Sequence, residues 1–106
     1  MAKYVLVYYA GSAGQTEKER AAQMQQWGAW FGKLGKAVAD QLSPFSGKVK
    51  TVASNGGAKD GAIGQPPATG YSIIEAGSIN EATDHAKACP LLQSGGQISV
   101  YETHTM

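Results

Sequence analysis

Residues Lys3 to Tyr9 read KYVLVYY, a run of β-branched and aromatic residues that favours a strand. Alternation puts Tyr4, Leu6 and Tyr8 on one face and Val5, Val7 and Tyr9 on the other. Both faces are apolar. A strand of that kind must be covered on both sides, in the middle of a sheet. This is the strongest constraint in the chain, and it asks what covers each face.

Helices are one answer. Thr16 and Glu19 form a T-x-x-E capping box, and Met24, Trp27, Phe31, Leu34 and Val38 then step by three and four, which predicts a long helix to about Asp40. Gly28, Gly32 and Gly35 form a second stripe on it, with Ala21 one turn back. Each interior glycine costs about 1 kcal/mol against alanine, so the stripe predicts close approach of a backbone or ligand; the alternative is a drifting surface face. Ser78 and Glu81 form a second box and predict a helix from Ile79 to about Cys89, with Ile79, Ala82, Ala86 and Cys89 on its buried side and Pro90 as its stop.

The remaining segments read as loops and strands. Gly11 to Gln15 reads as a loop and Gln41 to Gly47 as a helix exit. Lys48 to Ser54 reads as the second strand, Gly70 to Ala76 as the third and Gln97 to His104 as the last. Asn55-Gly56 is a tight-turn dipeptide, and Gly95-Gly96 marks another turn. The glycine- and proline-rich stretch to Thr69 is long for an irregular loop, and it points to a functional or dimer-contacting segment.

The expected order is β-α-β-β-α-β. It implies an α+β, ferredoxin-like fold: a four-stranded antiparallel sheet with both helices on one face. The 106 residues make one domain, 1–106. The sheet's other face would carry the second apolar side of the first strand, so we expect a homodimer through that open face.

Composition narrows the function classes. Nine Lys+Arg against eight Asp+Glu give no electrostatic footprint for nucleic acid or an anionic membrane surface. The start MAKYVLVYYA lacks a signal-peptide layout, and no apolar run is long enough to span a bilayer. The single Cys89 excludes an internal disulfide and fits a reducing cytoplasm.

Sites for chemistry are sparse. Asp84 and His85 are adjacent and diverge by about 100° on a helix, while Glu102 and His104 make only a two-ligand half-site, so no metal is expected. Cys89 falls near a helix C-terminus, which raises a thiol pKa and argues against a reactive thiolate. The loop GGAKDGAIG carries no phosphate-loop pattern, and no G-x-S-x-G elbow is present. No cofactor is implied. A small-molecule pocket remains, with Tyr8, Trp27, Trp30, Tyr71, Glu75, Ser99 and Tyr101 as candidate lining residues between helix and sheet or between two sheets. The alternative is that the tryptophans are core and the polar face is a wet dimer interface.

The chain resembles the YCII-related family, in its DGPF-domain branch. The segments that carry the resemblance are KYVLVYYA, QWGAWFGKLG, SPFSGKVKTV and PATGYSIIEAGSINEATDHAKACPLLQSGGQISVYE. The resemblance implies a bacterial protein with a dimeric α+β-barrel fold. Proteins of that family carry a His–Asp dyad, with the His in the first helix and the Asp before a proline. Here Met24 aligns with the histidine and Cys89 precedes Pro90, so the dyad is absent and no catalytic residue is carried over. The expectation is a homodimeric small-molecule-binding or accessory protein. Two alternatives stand beside it. One is an enzyme acting on a small organic acid in the dimer cleft, of the lactone isomerase or dehalogenase type the resemblance suggests, with Tyr8, Glu75, Ser99 and Tyr101 chosen for it by strand position alone. The other is an interaction module linked to a sigma-factor system.

Overall fold

The computed structural model describes residues 2–9, 16–64 and 66–104. The loop expected at Gly11 to Gln15 lies outside them. The elements in chain order are β1 (Ala2–Tyr9), α1 (Glu17–Leu34), β2 (Val38–Pro44), β3 (Lys50–Val52), β4 (Ala58–Asp60), β5 (Ala68–Ala76), α2 (Ile79–Lys87) and β6 (Gln97–Glu102). Short 3-10 turns at Gly35–Ala37 and Pro90–Ser94 follow the two helices. The fold is α+β, with a four-stranded antiparallel sheet in the order β2-β5-β1-β6 and a separate β3-β4 hairpin.

β1 lies inside the sheet, as its two apolar faces require, with β5 and β6 on either side. Tyr4, Leu6 and Tyr8 are fully buried on the helix side, where they meet Ile74, Ala76, Trp30, Phe31, Ala82, Ala86 and Cys89. Val5, Val7 and Tyr9 are only half-buried on the opposite face. The molecule is 18 Å through its thinnest axis. That is the thickness of one sheet and one helix layer, each about 10 Å. No described element forms a further layer over the Val5–Val7 face.

Both N-cap hydroxyl bonds form. The Thr16 hydroxyl accepts from Glu19 N–H at 3.1 Å, and Ser78 Oγ accepts from Glu81 N–H at 3.1 Å. In the second box Glu81 Oε2 accepts from Gly77 N–H at 3.1 Å, one residue before the cap.

Several expectations are corrected. The first helix stops at Leu34 instead of Asp40, because Gly35 turns to φ 55° and donates its N–H to the Phe31 carbonyl. A side chain is strained in that conformation, and glycine is not. Val38 therefore belongs to β2, and Gln41 to Pro44 are strand rather than exit loop. β2 is the second strand of the main sheet, and KVKTVAS instead forms the projecting hairpin with Ala58–Asp60. The Asn55-Gly56 turn does close that hairpin, with Gly56 at φ 87°. Met24 (76% exposed) and Ile79 (44%) lie outside the core. The first half of α1 extends past the packed region, and burial begins at Trp27, Trp30, Phe31 and Leu34.

The glycine stripe is also corrected. A Cβ placed at Gly28 or Gly32 would meet nothing within 4 Å, so among the described residues no backbone approaches there. The close approach is instead at Gly70, where a Cβ would sit 3.0 Å from the Ser43 carbonyl oxygen of β2. Gly32→Ala should therefore raise stability by about 1 kcal/mol through helix propensity. Gly35→Ala should lower it by about 1–3 kcal/mol through strain. Thermal unfolding of the two variants checks both signs.

Candidate functional site

The seven candidate pocket residues divide between the two sides of the sheet. Tyr8, Trp27 and Trp30 lie under the helices. The Trp27 ring meets Tyr8 edge-on at 5.3 Å between centroids, Trp30 at 5.9 Å and Phe31 at 5.8 Å. The polar ends of this cluster are satisfied. Trp30 Nε1–H donates to the His85 carbonyl at 2.9 Å, tying α1 to α2. The Tyr8 hydroxyl donates to Ser72 Oγ at 2.6 Å, and Ser72 Oγ donates in turn to the Gln41 carbonyl of β2. Among the described residues no buried side-chain polar atom lacks a partner.

Tyr71, Glu75, Ser99 and Tyr101 lie on the opposite face, because directly paired residues share a face. Val7 stands between Tyr71 and Ser99, Val5 between Ile73 and Tyr101, and Lys3 beside Glu75. This face is therefore an apolar ridge of Val5, Val7 and Ile73 flanked by hydroxyl-bearing side chains. Phe45 packs on Tyr71 at 5.9 Å and extends the apolar strip past the β2 edge. The sheet itself lies between the helix-side three and the open-face four.

Two clefts open near this face. One, of about 620 Å³, lies between β6 and the stretch that holds Ile63, Gly64 and Pro66, and is lined by these three with Tyr9, Leu92, Gly96, Gln97, Ile98 and Ser99. Its volume falls in the range of small-molecule sites, about 300–1,000 Å³. The other, of about 670 Å³, lies at the root of the hairpin beside Lys48, Lys50 and Asp60. Ser99 joins the open face to the first cleft. Tyr9 and Gln97 were missed as candidates although the alternation of β1 and β6 assigns them to that face. Ile63 and Pro66 were missed because nothing in a glycine-rich loop says which strand it folds against.

The first cleft has no carboxylate or ammonium in its lining. Tyr9, Gln97 and Ser99 supply hydrogen bonds, while Ile63, Pro66 and Leu92 supply apolar contact. Elsewhere, burial raises the Tyr8 phenol above its ordinary pKa of 10.0, with the Ser72 hydrogen bond opposing it more weakly. Burial likewise pushes the Cys89 thiol up to about 11. Among the described residues no three His, Cys, Asp or Glu side chains gather as a metal site. His85 Nε2 lies 3.7 Å from Glu81 Oε1, and Asp84 pairs with Lys87 instead. No described helix is long and apolar enough to cross a membrane. No protein-family model matches this chain, and a search of curated proteins found no match.

Two outcomes follow. Ser72→Ala leaves the Tyr8 hydroxyl without its acceptor in a dry core and should cost about 1–3 kcal/mol in urea unfolding. A pH series tests Cys89. Its thiol ionises near 9.0 when unfolded and near 11 when folded, so the unfolded chain releases the proton first. The contribution of Cys89 to stability should therefore be constant below pH 9 and be lost from pH 9 to 11, and Cys89→Ala should remove that part of the slope.

Proposed function

We propose that the protein is a cytoplasmic homodimer that pairs through the open sheet face and binds a small neutral organic molecule in the adjoining cleft, as a binding or accessory protein. The observation that carries this reading is the cleft itself. It has a ligand-sized volume, an apolar wall, hydroxyl and amide groups for orientation, and no charge in its lining. Such a site favours a molecule with a carbonyl or hydroxyl group on an apolar body, a lactone being one example. A free carboxylate would find no cation there.

The open face supports the dimer. Val5, Val7, Ile73 and Tyr101 lie in adjacent rows on it, and apolar rows of this kind on a sheet favour a partner. The proposal includes kinship with the YCII-related family and its ferredoxin-like, dimeric α+β-barrel architecture. Leaving the hairpin aside, the main elements run β1-α1-β2-β5-α2-β6, and this succession with the strand order β2-β5-β1-β6 supports that architecture. Cys89 occupies the place of the family's aspartate, and it is buried and held protonated at neutral pH. A thiol in that state does not act as a base, which favours binding over acid–base catalysis.

Light scattering after size-exclusion chromatography should give the mass of a dimer, and Val7→Asp should give a monomer. A monomer from the unaltered chain at micromolar concentration overturns the dimer. In a thermal-shift panel of neutral carbonyl compounds and lactones, a ligand at about 100 times its Kd should add about 2.7 kcal/mol to stability. Ser99→Leu, which removes one of the cleft's hydroxyl groups and crowds its wall, should abolish that shift without lowering the melting temperature of the free protein. A panel with no shift, or a shift that survives Ser99→Leu, overturns the site.

A further inference from the structure

The β3-β4 hairpin has no visible purpose within its own chain. Its two strands have three residues each. Isolated two-stranded hairpins are marginal in water. No helix or main-sheet strand packs substantially on it. Its hydrogen bonds are internal: Ala53 N–H to the Gly57 carbonyl, Gly61 N–H to the Val49 carbonyl, and the Thr51 hydroxyl to the Gly61 carbonyl. Its apolar Val52 is 68% exposed, and Ile63 on the returning segment is 86% exposed.

The overall dimensions lead to the same point. The radius of gyration is 15.1 Å. A compact domain of this length has about 13 Å. The two long axes measure 44 and 40 Å. A four-stranded sheet is only about 19 Å wide. The hairpin leaves the main sheet after the end of β2, close in sequence to Phe45, which packs on Tyr71 of the open face.

We propose that this hairpin is a dimerisation arm, reaching beyond the sheet edge to pack on a second copy of the chain. The inference rests on the dimer proposed above and adds the part that makes it stable. Four strands of about seven residues present a face of roughly 19 by 23 Å, or about 440 Å². A stable interface buries about 800 Å² on each partner. Side-chain relief raises the accessible area of the face, but the face alone stays at the low end. An arm from each copy, laid on the other, supplies the missing contact and covers Val52. Charge agrees in sign. The arm carries Lys48, Lys50 and Lys59 against Asp60, and the rest of the chain then holds six cations and seven anions. A basic arm is thus drawn to the body of another copy.

Sedimentation equilibrium tests the arm. Val49 and Gly61 are hydrogen-bonded neighbours, so residues 50–60 can be replaced by Asn-Gly. The shortened chain should dissociate at least tenfold more readily than the unaltered dimer, with an unchanged far-ultraviolet circular dichroism spectrum of the main sheet and helices. Val52→Asp in the full-length chain should weaken the dimer in the same direction, and it decides the matter where the shortened chain fails to fold. The inference is overturned when folded arm variants dimerise as tightly as the unaltered chain while Val7→Asp is monomeric; the face-to-face dimer then stands without an arm. An unaltered chain that is itself monomeric overturns both.

Discussion

β1 is apolar on both faces, and everything else in the molecule is arranged around that strand. Burying Tyr4, Leu6 and Tyr8 under α1 and α2 satisfies one side. Burial of each large apolar side chain is worth about 1.5–3 kcal/mol, so this side organises the core. The helices cannot reach the other side. Val5 and Val7 remain there with Ile73 and Tyr71, and this leftover apolar surface is the one the proposed dimer would cover.

The buried polar chain from Tyr8 through Ser72 to Gln41 has a related role. β2 is an irregular edge strand, with register shifts between Val38 and Asp40 and between Asp40 and Ser43. Such a ladder holds an edge weakly. Ser72 lies on β5 and bonds both the central Tyr8 and the Gln41 backbone, so it links the centre of the sheet to its weakest strand. Gly70 contributes by allowing β2 to approach β5 closely. The β3-β4 hairpin follows the end of this strand in the chain. Its position relative to the open face therefore depends on how firmly β2 is fastened.

How legible each part was depended on how local its cause is. The caps at Thr16 and Ser78 were readable because a hydroxyl three residues before a carboxylate is a complete local device. β2 was not, because VADQLSP has few β-forming residues and its pairing comes from β5, some thirty residues away. The end of α1 was signalled by Leu34-Gly35, but a glycine also present at positions 28 and 32 hides which one terminates the helix. The candidate site was half legible. Alternation assigned Ser99 and Tyr101 to one face correctly, and aromatic type alone grouped Tyr8 and Trp30 with them although the sheet lies between.

By itself the sequence determined the class of the fold: two capped helices, a doubly apolar first strand, and a reduced, buried cysteine before Pro90. These rest on nearest-neighbour chemistry and periodicity, which act along the chain. Only the tertiary structure decided which strand pairs at the edge, that KVKTVAS leaves the main sheet as a separate hairpin, and that Ile63, Gly64 and Pro66 lie against β6 to make a cleft. Those outcomes depend on contacts between distant segments, and such contacts are selected by packing of the whole chain rather than by the preferences of any one stretch.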